Sequence, residues 1–195
     1  MALVFNAEDH TYVMDGTNLP SVTTVLGQTG IIDKRWYTKS GTDRGSKVHQ
    51  MLEFYDEGEL VETGLDDQLL PYLEAWKKLL QDTNLKILEV EKKVHHPKHM
   101  YAGTIDRVAL INGEMCILEL KTGKPSKWHP LQTAPYQQCM KERTGGALMR
   151  RIAVYLTPKG TYRLQDHPND VEDFAVFYSA LRVYRWIYEN GGKRK

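Results

Sequence analysis

The sequence has no apolar run long enough to cross a bilayer, for which about 20 residues are needed, so nothing in it reads as a spanning helix. Its two cysteines, Cys116 and Cys139, fall in a strand pattern and a helix pattern without ligand spacing. Two thiols cannot hold an iron–sulfur cluster of the four-cysteine kind. They are expected as buried free thiols in a reducing compartment. There is no internal repeat and no low-complexity linker, hence no sign of a repeat array. The opening residues, MALVFNAEDH, read as neither a secretory signal nor an Arg-rich transit peptide. The expectation is a cytoplasmic protein without a membrane partner.

What is present is an ordinary globular composition, 41% hydrophobic and 26% charged over 195 residues. That suffices for one domain with a core and is short for two. Net charge is only +1, but it is unevenly placed. From Lys121 to Arg163 there are nine basic residues (121, 124, 127, 141, 143, 150, 151, 159 and 163) against one acid, Glu142. From Asp56 to Asp67 there are six acids and no base. Charge blocks usually form solvated faces. A basic block beside a reactive site is also where a polyanion would lie.

Hydrophobic periodicity sets out the elements in order. Val4-Phe5 and Thr11–Met14 suggest an opening hairpin, and Ser21 caps a short helix stopped at Gly27. Thr42–Tyr55 reads as a helix with Val48, Met51, Leu52 and Tyr55 on its buried stripe. Asp66–Asp82 reads as a second helix carrying Leu69, Leu73, Trp76, Leu79 and Leu80, provided it starts close to Pro71. LKILEVEKKV alternates as a strand, with Ile87, Glu89 and Glu91 on one side and Leu88 and Val90 on the other. His95, His96 and His99 are expected in a loop rather than a zinc site, because Pro97 breaks any helix that would align them. Pro130 can open a helix to about Arg143, with Pro135 inside it. A strand over Met149–Thr157, a short one over Tyr162–Leu164 and a helix over Asp170–Tyr188 complete the chain.

The stretch from Thr104 to Tyr136 organises the rest. Val108–Ile111 and Met115–Leu120 are apolar runs separated by Asn112-Gly113, the strongest short-range hairpin signal. Asp106 stands near the start of the first strand. Glu119 and Lys121 stand two apart at the end of the second, so they share one face while Leu118 and Leu120 take the other. Two carboxylates converging across a hairpin suit Mg²⁺, which takes few carboxylates plus waters and phosphate. The alternative is a surface hairpin whose Glu and Lys pair across solvent. His49 beside the apolar stripe of its helix is likewise either a satisfied structural histidine or a ligand.

The pattern Asp106, then Glu119-x-Lys121, resembles the PD-(D/E)XK nuclease superfamily. RGSKVHQMLE resembles the G-x-x-x-H-x-x-x-E helix of its RecB-like branch, and Gln132-x-x-x-Tyr136 resembles that branch's Q-x-x-x-Y pair. The opening HTYVMDGTNLPSVTTVLG is similar to the start of small phage-encoded and mitochondrial-genome-maintenance-type exonucleases.

The resemblance implies an α/β (α+β) fold whose central mixed sheet has an αβββαβ core, flanked by helices and preceded by extra N-terminal ones. It divides one domain over 1–195 into an N-terminal part to 83, a catalytic core over 84–165, a closing helix over 166–189 and a basic tail over 190–195. It implies that His49, Asp106, Glu119 and the Leu120 carbonyl hold one or two Mg²⁺ or Mn²⁺ ions, with Glu53 and Glu91 around them. Lys121 would position water, Gln132 and Tyr136 a phosphate. Lys124, Lys127, Arg150 and Arg151 would meet a nucleic-acid backbone, as would the three basic residues of the tail. Trp128 would either stack on a base or pack in the core, and Glu91 would either reach the metal or stay on the surface. The implied activity is a DNA exonuclease with little sequence specificity, acting on single-stranded ends in a phage-infected or prokaryotic cell, alongside a single-strand annealing or replication protein. An endonuclease, and a DNA-binding protein that has lost catalysis, are the alternatives.

Overall fold

The computed structural model describes residues 3–33, 35 and 37–191, except the side chains of 142 and 143. The basic residues of the tail and Trp36, grouped by sequence with Tyr37 in an apolar patch, lie outside the described residues. The chain opens with a small antiparallel sheet of β1 (Leu3–Asn6), β2 (Thr11–Met14) and β3 (Thr17–Leu19). The third strand was not anticipated, since three residues carry no readable period. Helices α1 (Val22–Gln28), α2 (Lys39–Glu57) and α3 (Leu70–Thr83) follow. The rest is a five-stranded sheet: β4 (Lys86–His96), β5 (Tyr101–Ile111), β6 (Glu114–Lys121), β7 (Arg150–Leu156) and β8 (Tyr162–Asp166), side by side in that order. Helix α4 (His129–Arg143) crosses between β6 and β7, and α5 (Asp170–Glu189) closes the chain. All pairings are antiparallel except β6–β7, which the α4 crossover makes parallel.

Local chemistry explains the boundaries. Thr38 caps α2 by accepting the Gly41 N–H at 3.1 Å, three residues before the expected start, and Gly58 ends it at φ +77°. Pro71 sits in the first turn of α3, where its missing N–H costs nothing. The helix therefore begins at Leu70 rather than Asp66. Asn112 and Gly113 take φ +52° and +84°, as a two-residue hairpin with primed-turn geometry requires.

The sheet is buried on both faces. Helices α2 and α3 put Val48, Leu52, Leu73, Trp76 and Leu79 against Ala109, Leu118, Leu120 and Val154 on one side. On the other, α1, α4 and α5 put Leu26, Tyr136, Phe177 and Leu181 against Ile105, Val108 and Ile117. Both cysteines are buried, and neither is in a disulfide. No helix among the described residues is long and apolar enough to cross a membrane.

Two expectations are corrected. The alternation that set Ile87, Glu89 and Glu91 on one side and Leu88 and Val90 on the other is broken by a bulge between Ile87 and Glu89, and Leu88 is 42% exposed. His95 and His96 belong to β4 rather than to a loop, and only Pro97–Met100 form the turn.

A further correction concerns the basic block. In the parallel register Arg150 lies beside Cys116 and Tyr155 beside Lys121. Arg150 is thus about 16 Å along the strand from the reactive end. It is held by Asp166, with its Nη2 at 2.9 Å, and lies 3.7 Å from Glu114. Arg151 is buried and donates to Asp170 at 2.7 Å, to Asp173 at 2.8 Å and to the Pro130 carbonyl at 2.9 Å. These contacts bind α5 and the start of α4 to β7, and they leave Arg151 no access to a nucleic acid. Arg151→Ala should therefore lower unfolding free energy by about 3 kcal/mol, as breaking a buried pair does, measured by chemical denaturation.

Candidate active site

Asp106 on β5 and Glu119 on β6 stand side by side, one step beyond the Arg107–Leu118 pair of the ladder. Both are buried, 7% and 3% exposed. Asp106 Oδ2 accepts the Leu120 N–H at 2.7 Å, and Oδ1 lies 3.6 Å from His49 Nδ1. His49 Nε2 in turn lies 3.1 Å from the Leu120 carbonyl. Burial raises the Asp106 carboxyl, but His49, Lys121 and the Leu120 amide outweigh it, and it lies below its ordinary value. Glu119 goes the other way. Burial, then repulsion from Asp106, pushes it up to about 7 against the pull of Lys121.

Glu91 enters from β4. Ligand atoms of His49, Glu91 and Asp106 all lie within 4.8 Å of one another. Adjacent ligands of an octahedral Mg²⁺ at about 2.1 Å are about 3 Å apart, so the three side chains would draw together around an ion. The sequence left Glu91 between surface and metal, and the geometry puts it in the ligand cluster. It reaches there at a backbone cost: Glu91 has φ +46° in mid-strand, a conformation non-glycine residues rarely take. Burial, then Asp106, pushes its carboxyl to about 7, and the charge of Glu53 adds to the shift. Glu53 therefore acts by charge and is absent from the cluster itself.

Glu119 and Leu120, expected as ligands, are placed differently. Glu119 Oε1 accepts from Lys121 Nζ at 2.9 Å and Gln132 Nε2 at 2.6 Å. Its Oε2 is buried with no hydrogen-bond partner among the described residues. An orphaned carboxylate oxygen beside two further carboxylates is costly unless a cation takes it. The residues present fit a divalent metal: His49, Glu91 and Asp106 cluster, Glu119 stands beside Asp106, and the Leu120 carbonyl lies 3.1 Å from His49 Nε2, with Lys121 as the nearby cation.

Lys121 is held from three sides. Its Nζ reaches Glu119 Oε1 and Gln132 Oε1, both at 2.9 Å, and lies 5.3 Å from the centre of the Trp128 ring. Trp128 is half-buried and packs on the α4–α5 core, so its ring is already engaged. Helix α4 places Gln132, and its first turn is fixed to the sheet by His129 Nδ1, 2.6 Å from the Tyr155 hydroxyl. Tyr136, a turn after Gln132, is buried, and burial followed by the charge of Glu119 pushes its hydroxyl well up. Tyr136 thus lines the site from within the core. Lys124 and Lys127 are exposed on the connection between β6 and α4.

Three participants escaped the sequence reading. The Tyr12 hydroxyl, on the small sheet, lies 2.7 Å from Thr104 Oγ1 and feels the charge of Glu91 and Glu119. Arg107 touches Glu91 from behind. Gly103 gives Tyr136 its room, since a Cβ built there would fall 2.5 Å from Tyr136 Cε1. A glycine inside a strand pattern is the one available signal for such close approach.

Comparison with known proteins accords with this layout. No protein-family model matches the chain. Mitochondrial genome maintenance exonuclease 1 of Homo sapiens is 28% identical over 155 residues, which is 65% of this chain and 45% of that protein. Its Xenopus tropicalis counterpart is 26% identical over 153 residues, 64% of this chain and 44% of that protein. The chain thus spans a little under half the length of these curated relatives, and the homology is weak. Among solved structures, a putative exonuclease from Eubacterium rectale superposes with a TM-score of 0.61 at 14% identity, over 90% of this chain and 83% of that one. LHK-Exo, solved in complex with dAMP, superposes with a TM-score of 0.51 at 15% identity, over 88% of both chains. The chain has a nuclease fold. Its αβββαβ order and its Asp106, Glu119 and Lys121 positions are consistent with a PD-(D/E)XK-like nuclease.

Gly103→Ala should displace the Tyr136 ring and with it the turn that carries Gln132. The expected cost is about 1–3 kcal/mol of stability, as for overpacking, read by denaturation. A larger proportional loss should appear in the site, read by divalent-metal titration.

Proposed function

We propose that this chain is a divalent-metal-dependent deoxyribonuclease of the RecB-like branch that degrades DNA from free single-stranded ends. The observation that carries the reading is the buried Glu119 carboxylate, half bound to Lys121 and half unpartnered, beside the His49–Glu91–Asp106 cluster. Its support is the name exonuclease shared by the curated relatives and by the Eubacterium rectale structure, and the dAMP bound to LHK-Exo.

Mg²⁺ or Mn²⁺ bound among His49, Asp106, Glu91, Glu119 and the Leu120 carbonyl would polarise the phosphoryl oxygen and acidify water. The chain's own residues do the rest. Lys121, locked between Glu119 and Gln132, directs its ammonium at the attacking water and offsets charge on the phosphate. Gln132 fixes Lys121 and Glu119 together, its oxygen accepting from one and its amide donating to the other. Lys124 and Lys127 supply backbone affinity without sequence preference. Helix α2 lies over the reactive end of β6, tied there by His49 and the Leu120 carbonyl. Cover of that kind narrows the approach to one strand entering by its end.

Purified protein incubated with labelled DNA tests this. Linear single strands should be degraded with Mg²⁺ or Mn²⁺ and survive in EDTA, while Ca²⁺ should bind without turnover. Closed single-stranded circles should persist far longer than linear strands. Equal loss of circles and linear strands would move the protein to endonucleolytic cleavage, and full activity in EDTA would remove the metal mechanism. Lys121→Ala should cut kcat about a hundredfold or more, in the range of one positioned proton-transfer or electrostatic group. Its DNA affinity should stay near wild type, since the exposed lysines supply most of that.

A further inference from the structure

Arg107 follows Asp106 on β5, and its side chain is fully buried on the α2–α3 side of the sheet. Its Nε donates to Asp56 Oδ2 at 2.6 Å, and Asp56 Oδ1 accepts the Trp76 Nε1–H at 2.8 Å. The guanidinium carbon lies 6.0 Å from the Trp76 ring centre. Nη1 donates to the Asp106 backbone carbonyl at 2.6 Å and reaches Glu91 Oε1 at 3.4 Å. One planar cation therefore joins α2, α3, β5 and β4, and its far end touches a member of the His49–Glu91–Asp106 cluster.

Burying such a group is expensive, and apolar side chains of similar volume often hold a core as well or better. Stability alone is a weak reason for an arginine here. Glu91 gives a stronger one. Its backbone sits at φ +46°, just beyond the β4 bulge, a strained conformation for a non-glycine residue. That conformation persists only if the surroundings over-determine it. Arg107 is the charged group that grips the Glu91 carboxylate from the core side, while its own orientation is set by Asp56 and the Asp106 carbonyl.

We propose that Arg107 is a positioning residue that holds Glu91 within reach of His49 and Asp106, and that Asp56 and Trp76 serve to aim Arg107. The inference rests on the metal reading given above. It assigns the acidic start of the Asp56–Asp67 block an internal role, and it makes α2 contribute twice, through His49 and through Asp56. A fork of fixed geometry does this, whereas a lysine would supply one point charge on a flexible stem.

The test is Mn²⁺ binding to the full chain without DNA, with free Mn²⁺ followed by electron paramagnetic resonance, for wild type, Arg107→Lys, Glu91→Gln and the double variant. Arg107→Lys should weaken Mn²⁺ about 10- to 100-fold, as loss of an outer partner of a ligand does. Glu91→Gln should also weaken it. The double variant should bind like Glu91→Gln alone, because Arg107 acts only through Glu91. Penalties that multiply would overturn the proposal. So would an Arg107→Lys protein with wild-type Mn²⁺ affinity and only a lower unfolding midpoint. Where Arg107→Lys does not fold, Asp56→Asn carries the test: about tenfold weaker Mn²⁺ supports the proposal and unchanged affinity refutes it. A wild-type protein that binds no Mn²⁺ at millimolar concentration would remove the metal reading itself. Wild-type binding with no change in the variants removes only the role of Arg107.

Discussion

Asp106 and Glu119 are buried next to each other on adjoining strands, and like charges so placed cannot both be stable without compensation. Much of the surrounding structure answers that one constraint. The Leu120 amide and His49 serve Asp106, while Lys121 and Gln132 serve Glu119. Each compensating group comes from a different place: α2 brings His49, α4 brings Gln132, and β6 brings its own amide and its terminal lysine. The helices on the two faces of the sheet are therefore both needed to make one site at its edge. The compensation stops short of complete, since Glu119 Oε2 has no partner among the described residues.

The central hairpin was legible because its physics is local. Asn112-Gly113 dictates its turn, and the period of two sends Leu118 and Leu120 one way and Glu119 and Lys121 the other. The helix stripes were legible for the same reason. What failed was non-local. The β4 bulge is invisible to a period-two reading of that strand, and the role of Glu91 stayed ambiguous. Arg151 looked like surface charge because its partners, Asp170 and Asp173, stand about 20 residues away on another element. Gly103 and Tyr136 are 33 positions apart, and only the fold shows that one makes room for the other.

The basic block is thereby divided in two. Lys124 and Lys127 are exposed near the reactive end, whereas Arg150 and Arg151 are paired with acids further down the sheet. Counting charge along a sequence overstates what a polyanion can meet, because ion pairs formed on folding remove some of it.

Helix α2 is fastened at two points seven residues apart, His49 at the Leu120 carbonyl and Asp56 at Arg107 and Trp76. The separation is about 10 Å along the axis. A rod anchored twice over that span resists both rocking and rotation about its own axis. It behaves as a fixed roof rather than a hinged one. Under the proposed activity, a strand would have to slide beneath that roof rather than wait for it to lift.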